Sequence, residues 1–403
     1  MKAILLAGGY GTRLFPLTLR TPKPLLPVAG RPVLEYTIEL LAEAKILDVV
    51  ISLKENQGKI EKYFGNELAG AKISYVYEPE STEEGKLGSV GAINYVLGKL
   101  KDIDEALVIG GDNFIVGLNL GDFARVRREK GAHASIALFE LHTDTELQQS
   151  GVAQLDSKGR IIKFQEKPHP SKALSRLAST AIYALDRAFI KEHLPNYADI
   201  KRKKGEKADR IGDLWEHFVS DLHLHGHPFE GIWGDIGNCE VYIKTNREAF
   251  EHLAKATPGG INRISPSAKV HKGATLIPPV VIDENCLVND GAIIGPNAHL
   301  LHDTVVASNA VISNSIIFER CSIGEQCKIE NSIVDGKCAI GADVTITDYS
   351  VIGFDSKIGK GSSVTGSKVF PGISVKPGST VRGDLKNDLT PSSKGLVDSC
   401  YWR

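Results

Sequence analysis

The chain of 403 residues is short of several things, and each shortage excludes a class of protein. It has no basic excess: 48 Lys plus Arg stand against 49 Asp plus Glu, for a net charge of −1. A dedicated nucleic-acid binder displaces counterions with such an excess, so that class is disfavoured, although a few basic side chains can still hold a phosphate locally. It has no apolar run near the ~18 residues of a membrane span, and the run Ala3–Ala7 is too short for a signal-peptide core. The expectation is a cytoplasmic protein with neither membrane nor nucleic-acid partners. The six cysteines form no CxxC pattern, which argues against zinc and for reduced thiols. Methionine occurs once, at residue 1, and nothing in the sequence explains that scarcity.

What is present falls into two grammars. Up to about residue 255, short β-rich runs alternate with helical patterns. Strands are expected at Lys2–Leu6, Val49–Leu53, Ile73–Val76 and Leu107–Ile109, and helices near Val33–Leu41, Gln57–Phe64 and Ser89–Leu100. Alternation of this kind, with fully apolar strands, predicts an α/β fold: a Rossmann-like, mostly parallel sheet with helices on both faces. Ligands of such sheets bind beyond the carboxyl ends of the strands.

A Gly- and Pro-rich stretch at 256–266 reads as a linker. After it, aliphatic residues recur every six positions from Val270 to Ile312. The series slips by one residue and resumes at Ile317, slips again to Val334, and slips last to Val369, ending at Val381. All twenty positions are Val, Ile or Leu, and a small side chain precedes seventeen of them by two residues. A hexad with one inward aliphatic predicts a parallel β-helix over 265–385, with a tail at 386–403. Cys286, Cys321, Cys327 and Cys338 all take the small position, which makes them packing residues; Cys239 and Cys400 have no such assignment.

The first loop, LAGGYGTRLFPLTLRTPKPLLPVAG, follows a strand. Gly8, Gly9 and Gly11 let backbone N–H groups approach a phosphate, and Arg13 and Lys23 add positive charge. It lacks the Lys-Ser/Thr ending of a Walker A loop and the third glycine of a dinucleotide fingerprint.

With LGSVGA (87–92), GGDN (110–113), FQEKP (164–168) and WGDIGN (233–238) following in order, the sequence resembles the sugar-1-phosphate nucleotidylyltransferases, or NDP-sugar pyrophosphorylases. The repeat resembles the left-handed β-helix that many members carry. The resemblance implies attack of a hexose-1-phosphate oxygen on the α-phosphorus of a nucleoside triphosphate, giving NDP-hexose and pyrophosphate. It implies Mg²⁺ as cofactor, held by Asp112 and Asp235. Arg13 would clamp the triphosphate, Lys23 would neutralise charge at the reacting centre, and Lys167 would bind the sugar phosphate. Substrate contacts are implied for Gly8, Gly9, Gly11, Thr12, Gly88, Asn113, Gly151, Glu166 and Thr180. The base (guanine, thymine or uracil) and the hexose (glucose or mannose) stay open.

The chain departs from the family where a glycine usually precedes the aromatic after EKP: Ala181 stands there and adds a methyl group. Trp233 reads as a packing anchor, the basic run 201–207 as a solvated loop, and His223, His225 and His227 as one strand face that could bind a metal. Two other functions stay open. In one, the coil adds acetyltransferase activity, with His271, His299 and His302 as the available bases. In the other, the chain is a non-catalytic scaffold, which the intact Arg13, Lys23, Asp112, Lys167 and Asp235 disfavour. A homo-oligomer through 265–385 is expected.

Overall fold

A computed structural model describes residues 1–54, 57–79, 87–256 and 262–387. The acidic stretch around 80–86, much of the linker and the tail with Cys400 lie outside the described residues. The chain divides into two compact units, Met1–Gly9 with Val33–Trp233, and Tyr10–Pro32 with Gly234–Arg403.

The first unit is built on a ten-stranded sheet. Its centre is parallel. Lys2–Leu6 lies between Asp48–Lys54 and Ala106–Gly110, and Ala71–Glu78 joins the outer side of Asp48–Lys54. Ala3, Ile4, Leu5, Val49, Ile51, Leu107, Val108 and Ile109 are all buried, as expected of strands covered on both sides. The remainder is antiparallel around Leu177–Leu185, which pairs with Ala106–Gly110 and Ala134–Glu140 and meets Gly151–Leu155. The sheet is therefore mixed. Helices Val33–Glu43, Gly58–Phe64 and Gly88–Lys99 stand where the apolar spacing places them.

The second unit carries three seven-stranded parallel sheets, consistent with a left-handed β-helix. From Ile282 to Val381 every aliphatic of the hexad series is buried in one core. The slips in the series are corners shortened by one residue. Leu300 pairs with Ile317, Ile317 with Val334, and Ile352 with Val369. Each short corner turns on a left-handed residue: Asn314 (φ 47°), Asn331 (φ 46°) or Gly366 (φ 57°). Asn is the non-glycine residue that best tolerates this region.

The four coil cysteines are buried, and each thiol donates to a carbonyl of the next coil: Cys286 to Leu301, Cys321 to Asp335, Cys327 to Gly341 and Cys338 to Gly353, at 2.9–3.1 Å. They are packing residues with a weak hydrogen bond. Cys239, unassigned from the sequence, is also a buried free thiol. Among the described residues no helix is long and apolar enough to cross a membrane.

One of the three coil faces differs from the others. On two faces the residue just before the core aliphatic is exposed or partly exposed, as at Lys269, Leu287, Val305 and Lys328. On the third it is Val281, His299, Ile316, Ile333 and Val351 in successive coils, all buried. Segment 10–32 and the helix Cys239–Ala256 belong to the same compact unit as this face. Phe15 and Leu19 pack on Phe370, and an added Cβ on Gly30 would touch Val281 at 3.1 Å.

Candidate active site

In the first unit, Asp112 follows the Ala106–Gly110 strand after one glycine, at its carboxyl end. The turn is tight: the Gly111 N–H donates to the Leu6 carbonyl at 2.9 Å. Asn113 is buried and orients its neighbour, donating from Nδ2 to Asp112 Oδ1 at 3.0 Å and to the Gly110 carbonyl at 3.1 Å. Trp233 Nε1 in turn donates to Asn113 Oδ1 at 2.7 Å. The Trp–Asn–Asp relay thus orients the carboxylate through Oδ1. Trp233 is thus more than a packing anchor, although its ring also packs near Phe139.

Gly8 and Gly9 follow the neighbouring strand. Gly9 is exposed with open space at its Cβ position, whereas a side chain on Gly8 would collide with Glu78. Glu78 is buried at the end of its own strand and accepts from Ser52 Oγ at 2.7 Å. Burial raises its carboxyl pKa, while Ser52 and Lys54 pull it down. Sequence reasoning passed over Ser52, because only the sheet register brings the two strands together. Gly88 begins its helix at φ 67°, and a side chain there would strike the backbone of Asp209.

Glu166 ends the Ile161–Glu166 strand beside Gly151 and Gly212, both of which lack the Cβ that would collide with its carboxylate. Burial raises the pKa of Glu166, Lys167 opposes that, and Asp213 adds to it. Lys167 is half exposed, its Nζ 3.8 Å from Glu166 Oε1, so the pair leaves the ammonium available to an incoming anion.

Thr180 has a different place. It is fully buried, and its hydroxyl donates to the Ala137 carbonyl at 2.9 Å. Its side chain serves the sheet, so the substrate contact that the resemblance implied for Thr180 does not come from an exposed hydroxyl. Ala181, where the family has glycine, sits in the left-handed region at φ 58° between Ser179 and Tyr183, where the strand register shifts.

In the second unit, segment 10–32 is built of three single turns of 3-10 helix, Thr12–Leu14, Leu17–Leu19 and Lys23–Leu25. Gly11 is left-handed (φ 64°) and its carbonyl accepts from Thr18 Oγ1 at 2.8 Å. Thr12 and Arg13 are exposed, whereas Lys23 is 8% exposed with Nζ 3.0 Å from Asp235 Oδ1. The Arg13 guanidinium lies against Gly237, 3.2 Å from where a Cβ would be. Two cations and one carboxylate therefore share the WGDIGN turn.

The three histidines are placed by packing. His225 is buried against Gly159, its pKa pushed down to about 4 by burial, and the His227 ring meets Phe123 edge-on. On the coil, His299 is 1% exposed and bonded to Asp283 at 2.8 Å, whereas His271 and His302 pair with Asp290 and Asp303 at the surface. Lys201 of the basic run pairs with Glu206, and the run closes a helix in solvent.

Residues 2–252 match the family described as Nucleotidyl transferase, and stretches within 260–383 match the GMPPB C-terminal domain. The chain belongs to the nucleotidyl transferase family. It is a sugar-1-phosphate nucleotidyltransferase. A UTP–glucose-1-phosphate uridylyltransferase of Synechocystis is 29% identical over 82% of this chain and 86% of its own length. A mannose-1-phosphate guanylyltransferase of Mycobacterium tuberculosis is 29% identical over 82% and 83%. A solved Bacillus anthracis protein, assigned as a glucose-1-phosphate thymidylyltransferase and crystallised with sucrose, superposes with a TM-score of 0.54 at 25% identity. It covers 62% of this chain and 95% of its own. The three relatives carry three different bases in their names.

Proposed function

We propose that this nucleotidyltransferase joins a nucleoside monophosphate unit to a hexose-1-phosphate through the residues named above. A phosphate oxygen of the hexose-1-phosphate attacks the α-phosphorus of the triphosphate. The new P–O bond forms as the bond from the α-phosphorus to the bridging oxygen breaks, and pyrophosphate leaves with that electron pair. The nucleophile is already ionised at neutral pH, so the protein's task is to hold two polyanions and neutralise charge.

In this reading Arg13 clamps the triphosphate, with Gly8, Gly9 and Gly11 offering backbone N–H groups. Lys23, buried beside Asp235, is positioned for the charge that builds at the α-phosphate. Lys167 takes the phosphate of the sugar, and Glu166 accepts from sugar hydroxyls. The observation that carries the reading is the fixed carboxylate of Asp112, oriented by Asn113 and Trp233 at the end of a buried strand.

The donor set suits Mg²⁺. As the resemblance implies, Asp112 and Asp235 would be the hard oxygen donors, and Asp235 is about two-fifths exposed. Among the described residues there is no cluster of three or more His, Cys, Asp or Glu that could hold a metal. One or two carboxylates, with phosphates and water supplying the rest, is the usual arrangement for this ion. Bound there, Mg²⁺ would supply Lewis-acid stabilisation of the phosphoryl charge.

We also read the chain as cytoplasmic, and as homo-oligomeric through the coil on the support of Leu287 and Val305, adjacent in register and exposed. The deciding assay is pyrophosphate release with five nucleoside triphosphates against glucose-, mannose- and glucosamine-1-phosphate. Release in at least one combination is expected, and silence across the matrix would refute the reading. The winning combination fixes base and sugar.

A further inference from the structure

Segment 10–32 carries Arg13 and Lys23, yet its contacts run along one face of the coil. Arg20, three residues before Lys23, places Nη1 2.6 Å from Glu319 Oε1 and 3.9 Å from Asp335 Oδ1. Its guanidinium also lies 4.1 Å from the centre of the Phe354 ring. These three partners come from successive coils, each one or two residues past a core aliphatic on the same face. Gly336 stands beside Glu319 and Asp335, and a side chain there would meet both Arg20 (2.8 Å) and Glu319 (2.7 Å).

Further attachments fix the same segment. Lys368 Nζ donates to the Arg13 carbonyl at 3.3 Å. Phe15 and Leu19 pack on Phe370. At the far end Arg263, itself 3.6 Å from Asp283, donates to the Gly30 carbonyl at 2.8 Å. From the long helix, Tyr242 Oη donates to the Pro27 carbonyl at 2.7 Å, and Asn246 Oδ1 accepts from the Ala29 N–H at 2.9 Å. A segment made of single 3-10 turns has little stability of its own, because such turns make few and poorly aligned hydrogen bonds.

We propose that Arg20, with Glu319 and Asp335, is a positioning residue for the triphosphate, and that the coil is thereby the platform that sets the places of Arg13 and Lys23. The guanidinium is suited to this work. Its Nη1 lies between two acidic side chains while its planar face stacks on an aromatic ring, a stacking that a lysine would not reproduce. Arg20 touches no reacting atom in this scheme; it acts through the backbone of the segment. The proposal rests on reading Arg13 and Lys23 as phosphate-binding groups.

The test uses the full chain and four variants: Arg20→Gln, Glu319→Gln, the two combined, and Lys357→Gln on an exposed coil face as control. Hydrogen exchange without substrate reads the segment directly. Amides of 11–25 are expected to exchange roughly tenfold faster in each single variant, the worth of one charge-assisted hydrogen bond, with coil amides unchanged. Steady-state kinetics should show the triphosphate KM rising by about the same factor while the hexose-1-phosphate KM holds within about twofold. The double variant should be no worse than either single one.

Unchanged exchange at 11–25 would overturn the proposal, as would faster exchange with both KM values unmoved or raised alike. If the unaltered chain releases no pyrophosphate with any substrate pair, the reading of the site fails instead, and exchange alone then decides whether Arg20 holds the segment.

Discussion

Lys23 and Asp235 meet with Nζ 3.0 Å from Oδ1 although 212 residues separate them in the chain. The lysine is nearly buried, so its ammonium is oriented before any substrate arrives. Replacing it with Met keeps the length of the side chain and removes the charge. Lys23→Met should lower kcat by about 10²–10³-fold, the loss typical of one preorganised electrostatic group. A pyrophosphate-release assay showing activity within about threefold of the unaltered chain would reject that role.

Asp112 and its relay give a graded prediction. Asp112→Asn should abolish Mg²⁺-dependent turnover with the melting temperature nearly unchanged, since the residue lies at a strand end. Asn113→Ala removes the orienting amide and leaves the carboxylate, so the expected loss is about tenfold or more in kcat. Equal losses in the two variants, or no loss in the second, would dissolve the relay.

Gly88→Ala is expected to be severe. The residue is left-handed, and its Cβ would run into the Asp209 backbone, which cannot rotate away as a side chain can. Strain plus overlap should destabilise the Gly88–Lys99 helix start by roughly 1–3 kcal/mol. Urea unfolding of the full chain, followed by tryptophan fluorescence, measures it. Gly9→Ala, with open space at its Cβ position, is the matched control and should leave the midpoint in place.

Ala181→Gly should move stability the other way. A left-handed alanine bears a cost of about 1 kcal/mol that glycine avoids, partly offset by the greater freedom of glycine in the unfolded chain. The expected outcome is a small gain in urea midpoint. A lowered midpoint would mean that the methyl group contributes more by packing than it costs in backbone strain.

Asp335 links stability to pH. Burial pushes its carboxyl up to about 7, against Arg20 and the Gly336 N–H, which favour the charged form, and with Glu319 adding to the rise. The phenol of Tyr242 lies near enough to feel its charge. The folded chain therefore holds this proton over a range where the unfolded chain has released it. The sign follows: this contribution is complete below about pH 4 and is lost as pH rises through 7. Asp335→Asn should flatten that window and leave the coil more stable at pH 8, by at most about 4 kcal/mol. A variant with the same pH–stability curve would show that the group titrates normally.

Much of the coil was legible because its information is local. Each core aliphatic from Ile282 to Val381 lies where the hexad count places it, and the slips in the count are the corners at Asn314, Asn331 and Gly366. The covered face was also written in the sequence, as Val281, His299, Ile316, Ile333 and Val351 at roughly every third repeat. A six-residue count does not register a pattern with three times that period. The candidate site is written in the sequence as motifs alone, and Thr180 shows their limit: being next to those residues in sequence does not put a side chain on the surface.

The sequence by itself determined the fold class, the coil and the chemical types at the site, because periodicity and turn chemistry act over a few residues. Only the tertiary structure decided that segment 10–32 groups with the coil, that Trp233 steadies Asn113, and that Arg20 spans two carboxylates and a ring. Those relationships join residues more than one hundred positions apart, and their energies depend on burial and on distances that no local pattern encodes.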